Sequence, residues 1–133
     1  MKRIAGCLAS AALLLLSQPA AAHHSFAMYD FTKNDTLEGV VREFQWTSPH
    51  AWIQLLVPDG AGGEKEWSIE CGAPGMLART GWTSHRLKAG DKVTLVVHPL
   101  RTGGPSASLV KVTLADGTVL GPGGPPPPLP IKD

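Results

Sequence analysis

Apolar and polar side chains alternate most clearly in residues 64–71, whose sequence is EKEWSIEC. Trp67, Ile69 and Cys71 share one phase, and Glu66, Ser68 and Glu70 share the other. Successive side chains of a β-strand point to opposite faces, so this pattern predicts a strand with one face in a core. We expect Cys71 to be a buried, apolar-like side chain on the inner face. The opposite phase, which ends in Glu70, is interpreted as a solvated acidic stripe.

Other runs on both sides of this strand also have β-like patterns. The run before it and the run after it place valine, isoleucine and leucine side chains on one face. The runs cover residues 37–46, 51–57, 91–98 and 108–114, and a short end piece covers residues 118–120.

The segment between the third and fourth runs predicts one short helix. Pro74 suits a first helical turn, and Gly81 suits a C-terminal stop. Three strands, a short helix and then two strands follow the order of an OB-fold. The sequence therefore predicts an all-β fold, a small five- to six-stranded OB-fold-like barrel over residues 36–120 with one short helix between strands three and four. A five- or six-stranded sandwich is the alternative.

The composition indicates one small domain with little net charge. The chain has 133 residues, of which 43% are hydrophobic and 17% charged, with a formal net charge of +1. A length of about 100–200 residues is typical of a single domain. Removal of residues 1–22 would leave ten basic and eleven acidic side chains, a net charge of −1. Because nucleic-acid-binding proteins normally carry a basic surplus, we expect no nucleic-acid partner.

Residues 1–22 have the parts of a secretory signal peptide. Two basic residues precede an apolar run, residues 4–16, which is shorter than the roughly 20 residues needed to span a bilayer. Small residues at the last and third-from-last positions favour cleavage between Ala22 and His23. We therefore expect a periplasmic or secreted protein without a stable membrane anchor.

The segments that flank the predicted barrel differ in composition. An N-terminal segment, residues 23–35, leads into the first strand, and residues 121–133 are rich in proline and glycine. The latter composition predicts a disordered tail. Cys7 belongs to the predicted signal peptide, so Cys71 would be the remaining cysteine and no internal disulfide is expected.

Short motifs along the chain resemble those of a domain-of-unknown-function family of small secreted bacterial proteins. The motifs are HHSFAM at residues 23–28, WTSPHAW at 46–52, GW at 81–82, LKAGD at 87–91 and ADG at 115–117. The resemblance implies export and the fold, and it implies no particular activity. Ser48 stands where an asparagine is expected before the Pro–His pair, which would matter if that side chain oriented His50.

Histidines form the candidate metal site. A chain that begins at His23 offers an α-amine, with a pKa of about 7.7–8.0, together with its imidazole. His24 can alternatively chelate through the amine, the intervening amide and its own imidazole. These nitrogen donors suit Cu(II) or Ni(II), and we expect copper. His50 is the preferred further ligand and His98 the other candidate; because a ten-residue strand of about 33 Å lies between their positions, one metal is not expected to bind both.

Two functional interpretations remain open. The first is a small exported binding protein that acts as a copper-binding module in storage, delivery or tolerance. The alternative is a metal-free OB-fold-like interaction module that binds a peptide, glycan or partner protein through Trp46, Trp52 and Trp82. A copper oxidase or oxygenase would use the same histidines, but no substrate cleft is evident, so an enzyme is not predicted. Purely structural roles are the other interpretation: the histidines would cap turns or belong to a frayed chain start, and the tryptophans would pack in the core.

Overall fold

The computed structural model describes residues 27–121 and 123. The predicted signal peptide, its cleavage point, His23, His24 and residues 124–133 of the predicted tail lie outside the described residues. The described residues form β1 (Asp35–Gln45), β2 (Trp52–Pro58), β3 (Glu64–Glu70), α1 (Pro74–Arg79), β4 (Lys92–Pro99), β5 (Ser106–Leu114) and β6 (Val119–Leu120).

The sheet closes into a five-stranded barrel with β6 as an extra strand. Its order is β3-β2-β1-β4-β5-β6, and these neighbours pair antiparallel. A parallel pairing between β3 and β5 closes the ring, with Ser68 opposite Ser106 and Glu70 opposite Ser108. This order, with α1 between β3 and β4, is that of an OB-fold. The predicted all-β barrel with one short helix is therefore confirmed.

The longest strand, β1, bends so that it can pair with two neighbours. Its first half pairs with β4 and its second half with β2, and the register shifts between Val41 and Glu43. Gly39 lies near this bend, where a Cβ atom would stand 2.3 Å from the carbonyl oxygen of Leu56. A bulge increases the local twist of a strand, and glycine allows the close backbone approach that the bend requires.

The core confirms the alternation read from the sequence. On β4, Val93, Leu95 and Val97 are buried, and Ile69 and Cys71 are fully buried at the end of β3. The remaining core side chains come from β1, β2, α1, β5 and the loops between them. Burial of these apolar side chains is the main term that stabilises a domain of this size.

The predicted short helix is present as α1, and it is brief. Pro74 occupies its first turn, Leu77 is its buried residue, and Gly81 follows with a positive φ of 89°. No helix in residues 27–121 is long and apolar enough to cross a membrane.

Backbone pairing continues past β6 to Gly123, within the segment predicted as a tail. The Gly123 N–H donates to the Val110 carbonyl at 3.0 Å, and its own carbonyl accepts from the Gly72 N–H at 2.9 Å. A Cβ atom at this position would lie 2.6 Å from Leu109 and 2.8 Å from the Trp82 ring. Glycine therefore lets the chain pass close to the core at this point.

Candidate functional site

Three polar side chains from distant parts of the sequence meet at one end of the barrel. The Tyr29 hydroxyl donates a hydrogen bond of 2.6 Å to Oε2 of Glu70. The other carboxylate oxygen of Glu70 is bonded to Nδ1 of His50. Tyr29 and Glu70 are only 1% and 3% exposed, and the His50 side chain is 19% exposed. Burial reduces competition from water, so these hydrogen bonds hold the groups in place.

His50 is positioned by the loop between β1 and β2. The Thr47 hydroxyl donates to the His50 carbonyl at 2.9 Å, and a cis peptide joins Ser48 to Pro49. The next residue, Ala51, exchanges backbone hydrogen bonds with Cys71 and Gly72. The loop is thus fixed beside the end of β3, where Glu70 lies.

Glu70 occupies the outer face of the barrel, although it is buried. Its neighbours Ile69 and Cys71 point into the core, so Glu70 takes the opposite phase. It pairs across the sheet with Trp52, two residues after His50. This register brings the carboxylate to the imidazole from outside the barrel.

Tyr29 reaches Glu70 because the segment before β1, which contains Tyr29, is paired to the sheet. We call residues 27–33 the N-terminal strap. Tyr29 forms an antiparallel bridge with Leu100, the Asp30 N–H donates to the Pro99 carbonyl at 2.8 Å, and the Arg101 N–H donates to the Met28 carbonyl at 2.8 Å. The strap therefore adds to the end of β4 and the connection that follows it.

The electrostatics of this group favour a protonated Tyr29 that donates to Glu70. Burial raises the pKa of the Tyr29 phenol well above its usual value, and the hydrogen bond to Glu70 and its negative charge raise it further. The Glu70 carboxylate accepts a hydrogen bond from the Tyr29 hydroxyl through one oxygen. Because a carboxylate can only accept, its other oxygen accepts a hydrogen bond from the Nδ1–H of His50. In that tautomer the ring nitrogen of His50 that can bind a metal is Nε2.

His98 lies near the end of β4, against the strap, and has different partners. Its Nδ1 donates to the Lys33 carbonyl at 2.8 Å, and its ring packs against Phe31 with centroids 5.0 Å apart. As predicted, His98 lies near the start of β1, because Val97 pairs with Asp35.

His98 and His50 are closer across the closed sheet than the length of β1 suggests. His98 pairs with Ser108, and Ser108 pairs with Glu70, the partner of His50. Each step across the sheet is about 5 Å. The estimate based on a strand of about 33 Å therefore overstated the separation, because it followed one strand and ignored closure of the sheet.

The described residues contain no cluster of three or more His, Cys, Asp or Glu side chains that could hold a metal ion. Within this part of the chain, the structure brings His50 to Glu70 and does not join His98 to them. A metal site at His50 would need further ligands from residues outside 27–121 and 123, or from solvent.

The tryptophans proposed as a ligand surface have different environments. Trp82 is 1% exposed and lies in the core, with its ring 6.0 Å from that of Phe44. Trp46 and Trp52 are half-buried on either side of the loop that carries His50. These two indoles, and not that of Trp82, are at the surface near His50.

Sequence reasoning missed two members of the site, Tyr29 and Glu70. The solvated acidic stripe is confirmed at Glu66, which is exposed and pairs with Arg42 at 2.9 Å, but it is wrong for Glu70. The available signal was the hairpin register, since it places Glu70 opposite Trp52 and beside the His50 loop. Tyr29 is the single tyrosine of the chain and directly follows the HHSFAM motif.

A groove of about 390 Å³ lies at the other end of the barrel. Apolar and charged residues both line it: Val40, Leu56, Val93, Leu114, Glu38, Glu64 and Lys92 are among them. It contains no histidine or cysteine, so it lacks the ligands expected for copper.

The chain belongs to a family of unknown function, DUF6152, whose model matches residues 11–108. This match confirms the family resemblance seen in the sequence. No curated protein and no solved structure shows significant similarity to the chain.

Proposed function

We propose that the protein is an exported copper-binding module in which Nε2 of His50 and nitrogen atoms of the N-terminal histidines bind the ion. The observation that carries the proposal is the bond between Nδ1 of His50 and the buried carboxylate of Glu70. Histidines that bind metals usually donate their other N–H to a carboxylate or carbonyl, which fixes the tautomer and the orientation of the ring. The Tyr29 hydroxyl fixes the carboxylate in turn.

The strap gives the N-terminal histidines access to His50. Tyr29, which touches Glu70, is six residues after His23. Six residues span at most about 21 Å when fully extended. The α-amine and imidazole of His23, with His24 as the alternative chelator, are therefore within reach of His50 by chain length alone.

These donors suit Cu(II) or Ni(II), and copper is preferred because it binds a given nitrogen site more tightly than nickel or zinc. An N-terminal amine and imidazoles are nitrogen ligands, and nitrogen donors in a plane suit Cu(II). The amine loses its proton at modest cost because its pKa is about 7.7–8.0. Binding is expected to weaken as the pH falls below this range, since protons compete for the same nitrogens.

The location also agrees with ligand binding by this fold. OB-folds bind ligands on the face of strands two and three and in the loops that follow strands one and four. His50 lies in the β1–β2 loop, Glu70 ends β3, and the strap pairs with the residues after β4. The same region thus holds the candidate metal ligand and its supports.

A copper titration tests the proposal directly. Protein processed to begin at His23 is compared with protein that carries one extra N-terminal glycine. We expect tight binding with a nitrogen-rich, square-planar EPR signal in the first protein and loss of that signal in the second. Equal, weak binding by both proteins would refute a site that uses the His23 amine.

Substitution of His50 tests the internal ligand. His50→Gln removes the imidazole, and we expect it to weaken copper binding by at least tenfold, while His85→Gln, on an exposed loop, serves as the matched control. A change of the EPR hyperfine pattern in the first variant alone would identify His50 as a ligand. Unchanged affinity and an unchanged spectrum in both variants would remove it from the site.

A metal-free interaction module is the second candidate. It is favoured by the half-buried indoles of Trp46 and Trp52, which flank the His50 loop at the surface. A peptide, glycan or partner protein that stacks on these rings would shift tryptophan fluorescence. Trp52→Ala would then abolish the shift, and the native protein would bind no copper in the titration described above.

A further inference from the structure

Two apolar side chains on the outer face of the barrel do not belong to its core. Val40 of β1 and Leu56 of β2 lie directly opposite each other, and their sequence neighbours Val41 and Leu55 are buried in the core. Successive side chains of a strand point to opposite faces, so Val40 and Leu56 point outward. Both are half-buried, and both line the groove of about 390 Å³ at the end of the barrel away from His50.

Two carboxylates line the same groove. Glu38 lies in β1, Glu64 begins β3, and both side chains are exposed. Among residues 27–121 and 123, neither glutamate forms an ion pair, whereas the next outward-facing glutamate of β3, Glu66, is paired with Arg42 at 2.9 Å. The charges of Glu38 and Glu64 are therefore available to attract a cation.

Lys92 supplies the positive charge of the groove. It is exposed, lies opposite Val40, and forms no ion pair within the part of the chain that the structure describes. With two carboxylates and one ammonium group, the residues that line the groove carry a net charge of −1. A cationic group is therefore favoured near Glu38 and Glu64, and it is disfavoured near Lys92.

The spacing of charged and apolar side chains in the groove matches that of an extended peptide. Glu38 and Val40 are two residues apart on β1, which corresponds to about 7 Å along a strand. In an extended peptide, the side chains of residues i and i+2 also lie about 7 Å apart on one face. A peptide that runs along β1 can therefore place a cationic side chain near Glu38 and an apolar side chain near Val40 at the same time.

We propose that this groove binds an extended segment of a partner protein that carries a lysine or arginine and, two residues away, a leucine-sized apolar side chain. The cationic side chain meets Glu38 and Glu64, and the apolar side chain packs on Val40 and Leu56. The groove volume of about 390 Å³ lies within the range of roughly 300–1,000 Å³ that is typical of ligand sites. The groove shares no residue with the group formed by Tyr29, Glu70 and His50, so the proposal is independent of copper binding.

A capped tripeptide, acetyl-Lys-Thr-Leu-amide, tests the proposal, because lysine is its only ionised group. It is titrated at pH 7 into isotope-labelled protein, and the backbone amide signals are followed by NMR. We expect the signals of Gly39, Val40 and Leu56 to shift and to saturate. The matched controls are acetyl-Gln-Thr-Leu-amide, which lacks the charge, and acetyl-Lys-Thr-Ala-amide, which lacks the larger apolar side chain. We expect them to bind about threefold and about fivefold more weakly.

Charge substitutions in the protein test the same contacts from the other side. Glu38→Gln and Glu64→Gln should each weaken binding of the lysine peptide about threefold, and Lys92→Gln should strengthen it about twofold, because it removes a like charge. Asp35→Asn is the matched control, since it removes an exposed negative charge of β1 that does not line the groove, and it should leave the affinity unchanged. All four side chains are exposed, so the substitutions are expected to leave the fold intact.

Four results would overturn the inference. Equal binding of the lysine and glutamine peptides, or equal affinity in Glu38→Gln and Asp35→Asn, would show that the carboxylates do not recognise a cation. Shifts confined to Trp46 and Trp52, or no saturable shifts, would show that the peptide does not bind in the groove. If the groove amides shift when the protein is concentrated without peptide, a second copy of the chain occupies the groove. None of these results bears on the copper titration, so the two proposals fail separately.

Discussion

Replacement of Tyr29 by phenylalanine isolates one hydrogen bond of the candidate site. The substitution deletes the hydroxyl that donates to Glu70 at 2.6 Å and keeps the ring that packs against Phe31. A hydrogen bond to a charged group contributes about 1.5–3 kcal/mol, and its loss from a buried carboxylate is expected to cost an amount within this range. We expect Tyr29→Phe to lower the free energy of unfolding at pH 7 by about 2 kcal/mol.

Urea denaturation at 25 °C, followed by tryptophan fluorescence, measures this difference. All four tryptophans are retained in the variant, so the signal is directly comparable. Thr83→Ala is the matched control, because it removes an exposed hydroxyl and should change stability by less than about 0.5 kcal/mol. The slope of the unfolding free energy against urea concentration should be the same in all three proteins, since the surface exposed on unfolding barely changes.

The pH dependence gives a second, independent check. The pKa of Tyr29 is raised in the folded protein, whereas an unfolded tyrosine has a pKa of about 10. The unfolded state therefore loses its proton first, and the stability due to Tyr29 is present below pH 10 and declines as the pH rises above it. At pH 11 the advantage of the native protein over Tyr29→Phe should have shrunk by about 1.4 kcal/mol. Equal stability of the two proteins at pH 7, or a difference that stays constant from pH 7 to pH 11, would refute the reasoning.

Three further predictions concern packing, reactivity and surface charge. Gly39→Ala should lower the unfolding free energy by more than about 2 kcal/mol in urea titrations, because a Cβ atom would stand 2.3 Å from the Leu56 carbonyl oxygen; a loss below 0.5 kcal/mol would show that β1 can shift. Cys71 is fully buried and burial raises the pKa of its thiol. In protein that begins at His23, and so lacks Cys7, Ellman's reagent should react only at the rate of unfolding, and rapid labelling of that protein in its native state would contradict this. The Arg42–Glu66 pair is nearly half-exposed at both ends, so Arg42→Ala should cost no more than about 1 kcal/mol in the same titrations, and less in 1 M salt.

The fold was predictable because the alternation of residue types within a strand indicates which of its faces is buried. On β4, Val93, Leu95 and Val97 alternate with Lys92, Thr94, Val96 and His98, and the structure buries only the first three. Pro74 and Gly81 marked the helix in the same local way. Periodicity and turn residues act over a few positions, so a single sequence is enough to read them.

The candidate site was only partly predictable because its contacts join residues that are far apart in the sequence, which local sequence patterns cannot reveal. His50 was found from the residue types around it, but Tyr29 and Glu70 are 41 residues apart in the chain and meet only after the barrel closes. Glu66 and Glu70 have the same phase on β3, and periodicity assigns both to solvent. What separates them is the strap, which covers one end of the outer face and leaves the other open.

Closure of the barrel and docking of the strap together explain why a carboxylate on an outer face can be buried. The β3–β5 pairing ends at Glu70, and the strap lies on the residues that follow β4, next to β5. Each of these contacts is made by backbone hydrogen bonds, which do not depend on the side chains of the site. The scaffold therefore holds Glu70 between Tyr29 and His50 without any ligand, and in the proposed copper site an imidazole oriented in advance would bind the ion without the cost of ordering it first.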